Sequence, residues 1–469
     1  MKCSSAALIV LVFTARLMVG QAPQGSRPSP QEQQCLASAL HDLQRRALAD
    51  AEAKLTECER LYAPSAILSN ALGVVYEQEG RKPAAIEAFE KALALLPSFT
   101  AAQIHLGTLY AGAGKCDAAG RLLRDAAGST SDSGALVASG IGLGQCHDLP
   151  GSINVLEKAL QSNPRSNAAA YNLALAHYRN NDFEAALDIL NSLQTNEQAE
   201  DADLLYLKGK VLEGISGTTT SARGDARAQS AAALSRACHL RPQEEACTDA
   251  ALAMIHQESF GEAATLIEQT LPHLSPSVRL LSALGLARFR GGRYNDAIDA
   301  YSKAIEIDPT LEAPREGLGF LLYMTGNLER ARSVVEEGIR TSRSGFYLPY
   351  LRALILYRQS PGLRSEALAA ASASIEKNPG FAPAYFLRGK IRADQNDPAA
   401  ALGDFQDAVR IDPKYPLPYY RMARIYTQMG RPNEAADAAR KFSSLGSLRE
   451  DEVLSGQARE QLSRGAETR

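Results

Sequence analysis

The residues that could do chemistry are spaced in ways that argue against it. The seven histidines, His41, His105, His147, His177, His239, His256 and His273, are scattered, with no HExxH and no close pair. A zinc hydrolase needs two of them on one helical face to hold its ion. The seven cysteines include no CxxC, so neither a zinc ribbon nor a dithiol redox site is expected. Gly112-Ala113-Gly114-Lys115-Cys116 approaches a phosphate loop, but the motif's first glycine falls on Leu109. Cys116 also stands where a Ser or Thr hydroxyl would hold magnesium. After Gly140 and Gly142 the third glycine of a dinucleotide fingerprint falls on Gln145, and Gly214-Ile215-Ser216-Gly217 misses the nucleophile-elbow spacing by one residue. Glu336 with Glu337, and the run Glu450, Asp451 and Glu452, read as solvated helix faces. Arg223-Gly224-Asp225 matches a tripeptide read by some adhesion receptors and falls in the longest expected loop. The expectation is no catalytic residue, no metal ligands and no cofactor: not an enzyme.

The chain must therefore be read for the elements it builds. Its 469 residues are 45% hydrophobic and 22% charged, a composition that folds. Tryptophan is absent and aromatics reach 6%, while alanine is abundant, which favours helices over sheets. Fifty basic and 53 acidic side chains leave a net charge of -3, without the basic footprint that duplex nucleic acid requires. Lys2, the apolar run Ala6 to Phe13, and small residues at Gly20 and Ala22 read as an export signal over residues 1–22, although Arg16 interrupts it. Residues 23–34, rich in Pro, Gln and Ser, read as a flexible linker. Beyond them no apolar run is long enough to cross a bilayer. The expected location is periplasmic or secreted, with no membrane span in the mature chain.

One spacing recurs through most of the sequence. Gly73 is followed by Ala85, Phe89, Ala92 and Pro97; Gly285 by Ala297, Tyr301, Ala304 and Pro309; Gly389 by Ala401, Phe405, Ala408 and Pro413, at identical offsets. Leu72-Gly73 with Tyr76, Leu106-Gly107 with Tyr110, Leu284-Gly285 and Leu318-Gly319 carry the same opening. The small residue runs on through Gly107, Gly140, Ala174, Gly209, Ala251, Gly285, Gly319, Ala353, Gly389 and Ala423. The one long step, from Gly209 to Ala251, places extra residues within Ile215 to Gln229. A Gly or Ala at the first position lets a second helix approach, the bulky residue fills the hollow, and Pro ends the second helix.

This pattern resembles the tetratricopeptide-repeat family, in which pairs of antiparallel helices recur every 34 residues or so. The resemblance implies an all-α fold, a right-handed superhelical solenoid of about eleven repeats over residues 66–446, because no single pair buries its apolar faces alone. Residues 35–65 are expected to form a capping helical hairpin. Residues 447–469 are expected as a C-terminal capping helix and tail, with Leu448, Val453, Leu454 and Leu462 on one side.

The resemblance further implies a non-enzymatic scaffold that holds an extended peptide or a partner protein along a concave groove lined by first helices. In this register the groove carries Tyr171, Tyr178, Arg179, Tyr206, Lys210, Arg290, Tyr323, Tyr357, Arg358, Lys390, Arg421 and Arg424, together with Phe289, Phe320, Tyr350, Phe386 and Tyr420. The first three repeats present smaller groups such as Ala71, Val74, Ala101 and Ala111. Tyrosine supplies contact area at little rotamer cost and arginine grips carboxylates with two parallel bonds. The same tyrosines also serve packing, so Arg179, Arg290, Arg358 and Arg424 are the better contact candidates. The family's clamp for C-terminal carboxylates is not assembled: the equivalent places hold Asn70, Ile104, Val137 and Ser282. A fixed subunit of an envelope secretion or assembly complex is the alternative. With Cys3 in the signal, repeat positions pair Cys35 with Cys58, Cys116 with Cys146 and Cys238 with Cys247. Buried free thiols are the alternative there.

Overall fold

The computed structural model describes residues 30–62, 64–194, 201–218, 223–341 and 345–446, together with 454, 456, 458 and 460–463. No strand occurs among the described residues. A hairpin of Pro30–Gln44 and Leu48–Leu61 comes first. Among the described residues eleven helix pairs follow. The first six are Ala66–Gln78 with Lys82–Leu95, Thr100–Gly112 with Cys116–Gly128, Ser133–Gln145 with Leu149–Ser162, Asn167–Arg179 with Phe183–Gln194, Ala202–Thr218 with Arg223–Leu240, and Glu244–His256 with Phe260–Thr270. The remaining five are Val278–Arg290 with Tyr294–Ile307, Glu312–Met324 with Leu328–Thr341, Tyr347–Gln359 with Arg364–Lys377, Ala382–Asp394 with Pro398–Ile411, and Pro416–Gln428 with Pro432–Leu445. Two compact units divide them: Met1–Glu200 with Lys210–Ala226, and Asp201–Gly209 with Arg227–Arg469. Within each unit, second helices pack on their first helices and on the first helix that follows, and neighbouring first helices touch. This is the all-α solenoid of helix pairs that the repeat implies.

The contact behind each pair is the one the spacing predicts. A Cβ added to Gly73 would meet the Phe89 ring at 2.5 Å, one on Gly140 would meet Leu156 at 2.6 Å, and one on Gly319 would meet Val335 at 2.6 Å. For Gly389 the obstacle is Phe405, at 2.7 Å. The turn inside nine of the pairs adds a feature that the spacing did not disclose. Seven residues after the small position, the backbone enters the left-handed region: Gly80, Gly114, Gly292, Gly326 and Gly430, but also His147, Asn181, Glu258 and Asn396. Glycine and asparagine adopt that conformation readily; at His147 and Glu258 the packed helices on either side impose it.

Several expected boundaries shift. The first helix begins at Pro30, inside the stretch expected as linker, because helix there places Leu36, Ala39 and Leu43 on one buried face. The described extra residues after Gly209 lengthen helices to 17 and 18 residues, and residues 219–222 between them lie outside the described residues. Arg223-Gly224-Asp225 accordingly opens the helix Arg223–Leu240, not the loop expected for it. The export signal, and residues 447–453 of the expected C-terminal helix, lie outside the described residues.

The cysteine pairs expected from repeat positions are the pairs found. Cα separations are 6.1 Å for Cys35 and Cys58, 5.3 Å for Cys116 and Cys146, and 4.9 Å for Cys238 and Cys247, all within disulfide reach.

Because Phe405 is fully buried against Gly389, Gly389→Ala should destabilise the chain by about 1–3 kcal/mol through overpacking. Gly112→Ala meets nothing within 4 Å and should leave the urea midpoint unchanged or slightly raised. Chemical denaturation of both variants checks the pair; equal midpoints would show that the close approach is not what holds the repeat.

Candidate binding surface on the first helices

Seating a small residue against the second helix dictates what the first helix turns the other way. At 3.6 residues per turn, the positions three before, one after and four after the small residue share a face. For Gly319 these are Glu316, Phe320 and Tyr323. The corresponding positions elsewhere supply most of the aromatic and cationic groups expected from the sequence.

In the second unit many of these groups join one repeat to the next. Phe289 meets Phe320 edge-on at 5.8 Å. Tyr206 donates to Asp249 at 2.9 Å, and Tyr357 donates to Asp394 at 2.8 Å. The Arg358 guanidinium lies 5.1 Å above the Tyr323 ring and donates to the Tyr323 carbonyl at 2.9 Å. Lys390 sits 5.0 Å over Tyr357 and 5.8 Å over Phe386, and is 9% exposed. Arg290 stacks at 4.9 Å on Phe260. Tyr323 is buried and Arg421 half-buried. At the last repeat the face opens: Tyr420 is 42% exposed, with the exposed Arg424 at 5.9 Å over its ring.

The first unit presents a different surface. Tyr171 and Tyr178 are half-buried, Tyr178 tilted 6.0 Å from Phe183, and Arg179 is exposed. Lys210 pairs with Glu213 along its own helix. Ala71, Val74, Ala101 and Ala111, expected to leave this end of the face small and apolar, are all buried.

One group on the second unit's face escaped the sequence reading. Glu316 is 5% exposed. Burial, then the charge of Glu312, pushes its carboxyl up to about 8, against a hydrogen bond from Gln461 that lowers it. Among the described residues no cation pairs with it. Burial, and then the charge of Glu316, drives the hydroxyls of the buried Tyr301 and Tyr347 upward. The signal was available in the register: Glu316 occupies the place filled by Ser282, Tyr350, Phe386 and Tyr420 in neighbouring repeats. A carboxylate among such groups is out of pattern.

Gln461, its partner, lies 145 residues away in sequence and donates from Nε2 at 3.4 Å. The C-terminal segment therefore reaches the face of Glu312–Met324. It was expected to cap the end of the stack.

Comparison with known proteins agrees with this architecture. Tetratricopeptide-repeat models match residues 66–99, 350–416 and 392–441, and a model described as TPR repeat matches 285–326. The chain belongs to the tetratricopeptide-repeat family. Residues 145–215 of this repeat protein match the model for anaphase-promoting complex, cyclosome, subunit 3. Superkiller protein 3 of Schizosaccharomyces pombe is 30% identical over 139 residues, which cover 27% of this chain and 10% of that relative. The matched stretch thus spans about a tenth of the length of the curated relative. Among solved structures, yeast Tom70 is 16% identical with a TM-score of 0.42, covering 92% of this chain and 95% of its own. The APC/C hetero-tetramer Cut9–Hcn1 is 12% identical with a TM-score of 0.41, covering 92% and 96%. No helix among the described residues is long and apolar enough to cross a membrane.

Glu316 yields a test with a definite sign. Its folded-state value stands above its ordinary 4.5, so the stabilisation from its protonated form is complete below that value and is lost as pH rises through about 8. Wild type should lose about 1–3 kcal/mol more than Glu316→Gln between pH 6 and pH 9, read from urea unfolding at each pH. Parallel curves for the two chains would show that the carboxyl is not the titrating group.

Proposed function

We propose that this repeat protein is a non-enzymatic scaffold that holds a partner protein on the faces of its first helices, outside the cytosol. Family membership supports the class of function. The observation that carries the finer reading is that arginines at first-helix positions stand exposed: Arg179 in the first unit, Arg358 and Arg424 in the second. Each can grip a carboxylate bidentately. Tyr420 beside Arg424 adds an exposed aromatic surface. Of the four arginines singled out by register, Arg290 and Arg358 stack on rings of other helices, Phe260 and Tyr323, whereas Arg424 lies over the exposed Tyr420 of its own helix, so Arg179 and Arg424 separate binding from packing best.

Export is supported by the positive and apolar start at Lys2 and Ala6 to Phe13 and by three cysteine pairs at bonding distance, since disulfides persist in oxidising compartments.

Replacing Arg179 and Arg424 together by Ala should reduce crosslinked partner capture in the native host at least tenfold with helical content unchanged. Undiminished capture by a folded variant would reject this surface, and co-purification at fixed stoichiometry that survives the variant would favour a fixed complex subunit. Separately, alkylation of denatured, unreduced protein from the host should label none of the six paired cysteines; six labelled thiols would place the chain in a reducing compartment.

A further inference from the structure

The C-terminal segment has the geometry of a ligand. Residues 454, 456, 458 and 460–463 are helical. Leu454, Ala458 and Leu462 are buried, at 8%, 0% and 4% exposure, in the second unit's core, whereas Gly456 and Glu460 are exposed. Spacing by four places the three apolar groups in one stripe and the exposed residues opposite. A cap would lie on the last pair, Pro416–Leu445. Gln461 instead hydrogen-bonds Glu316 at 3.4 Å, on the first-helix face of a pair three repeats earlier.

On the same face Phe320, Tyr350 and Phe386 are buried, packed on Phe289, on Phe381 and on Phe405 and Tyr415, while Tyr420 in the last repeat stays open. The chain leaves the last helix at Gly446, whose φ of 86° suits glycine and permits a sharp reversal. Among the described residues two leucines, one alanine and one amide-to-carboxyl bond make this contact, which joins no helix of the array covalently and can therefore open and close.

We propose that the first-helix face of the second unit takes an amphipathic helix, with Leu, Ala and Leu at four-residue spacing and a side-chain amide for Glu316, and that the chain's own C-terminal segment occupies it until a partner helix of this pattern displaces it. This rests on the reading of first-helix faces as binding faces, and replaces the extended ligand expected there with a helical one. The raised carboxyl of Glu316 fits: in its protonated form it can meet a neutral amide without leaving a buried charge unanswered. Among the described residues the groups that act on it are Glu312 on the same helix, and Tyr301 and Tyr347 from the packed helices, none of them a cation.

The test uses the full chain and a fluorescein-labelled synthetic peptide of residues 450–466. Leu454→Glu with Leu462→Glu in the chain should release the segment, and anisotropy should then show the peptide binding at least tenfold more tightly than to wild type. A peptide carrying Ala458→Glu should not bind. Hydrogen exchange in Glu312–Met324 should speed up in the variant and slow again on adding the wild-type peptide. Equal binding to both chains, or none to either, overturns the proposal. If the double variant loses helical content by circular dichroism, Ala458→Arg in the chain carries the same readouts. Peptide binding to the opened chain alongside intact partner capture by the Arg179 and Arg424 variant would sink the arginine surface and leave this inference standing; the reverse pattern would separate them the other way.

Discussion

Everything in this fold depends on a first-helix backbone that a bulky side chain can touch. Tyr301 shows how far the constraint extends: a Cβ on Gly285 would meet its ring at 2.8 Å, and one on Gly317, in the following repeat, at 2.5 Å. Leu123 stands likewise between Gly107 and Gly142. One side chain therefore closes its own pair and sets the distance to the next, which is why isolated pairs would not hold and stacked ones do. The same contact fixes helix rotation. Once Gly319 faces Val335, Glu316, Phe320 and Tyr323 have nowhere to point but across the other side. The candidate binding surface is thus a consequence of packing register.

This explains what was legible in the sequence. Glycine at the small position, Phe or Tyr sixteen residues on and Pro beyond are local, and each states its steric role; pairs, order and cysteine partners follow from them. Cys238 and Cys247 need nothing more than the knowledge that one ends a helix and the other begins the next. The left-handed turn residues were half legible: Gly80 and Gly292 advertise that backbone, whereas His147 and Glu258 do not, since nothing in those side chains favours it. The insert after Gly209 was misread because Gly217 and a run of threonines look like loop, yet the flanking residues extend both helices.

The site was less legible for a different reason. Register shows which face a residue occupies but not what covers it. Lys390 and Tyr323 belong on the first-helix face, yet they are buried there, beneath Arg358 in the case of Tyr323 and against Tyr357 and Phe386 in the case of Lys390. The return of Gln461 to Glu316 joins residues 145 positions apart and has no local signature. Its one trace is the apolar spacing of Leu454, Ala458 and Leu462, which announces that the helix will be covered on one side without saying by what.

Two buried carboxylates separate structure from function in the second unit. Asp404, 2% exposed, receives Arg388 at 2.7 Å and Arg392 at 2.9 Å. Its charge is answered from within its own repeat, as a permanent part of a fold should be, because an unanswered buried charge is costly. Glu316 is almost as buried and has no such answer among the described residues; its carboxyl is lifted toward the neutral form, and its side-chain partner there, Gln461, lies 145 residues away in sequence. Were Glu316 there for packing alone, an aromatic side chain like Tyr350 or Phe386 at equivalent positions would serve at lower desolvation cost. A polar group retained on a face otherwise lined by Phe320, Tyr323 and Tyr350 makes sense if whatever covers that face must be recognised as well as packed. A neutral amide at the end of a leucine stripe meets that requirement and can still let go.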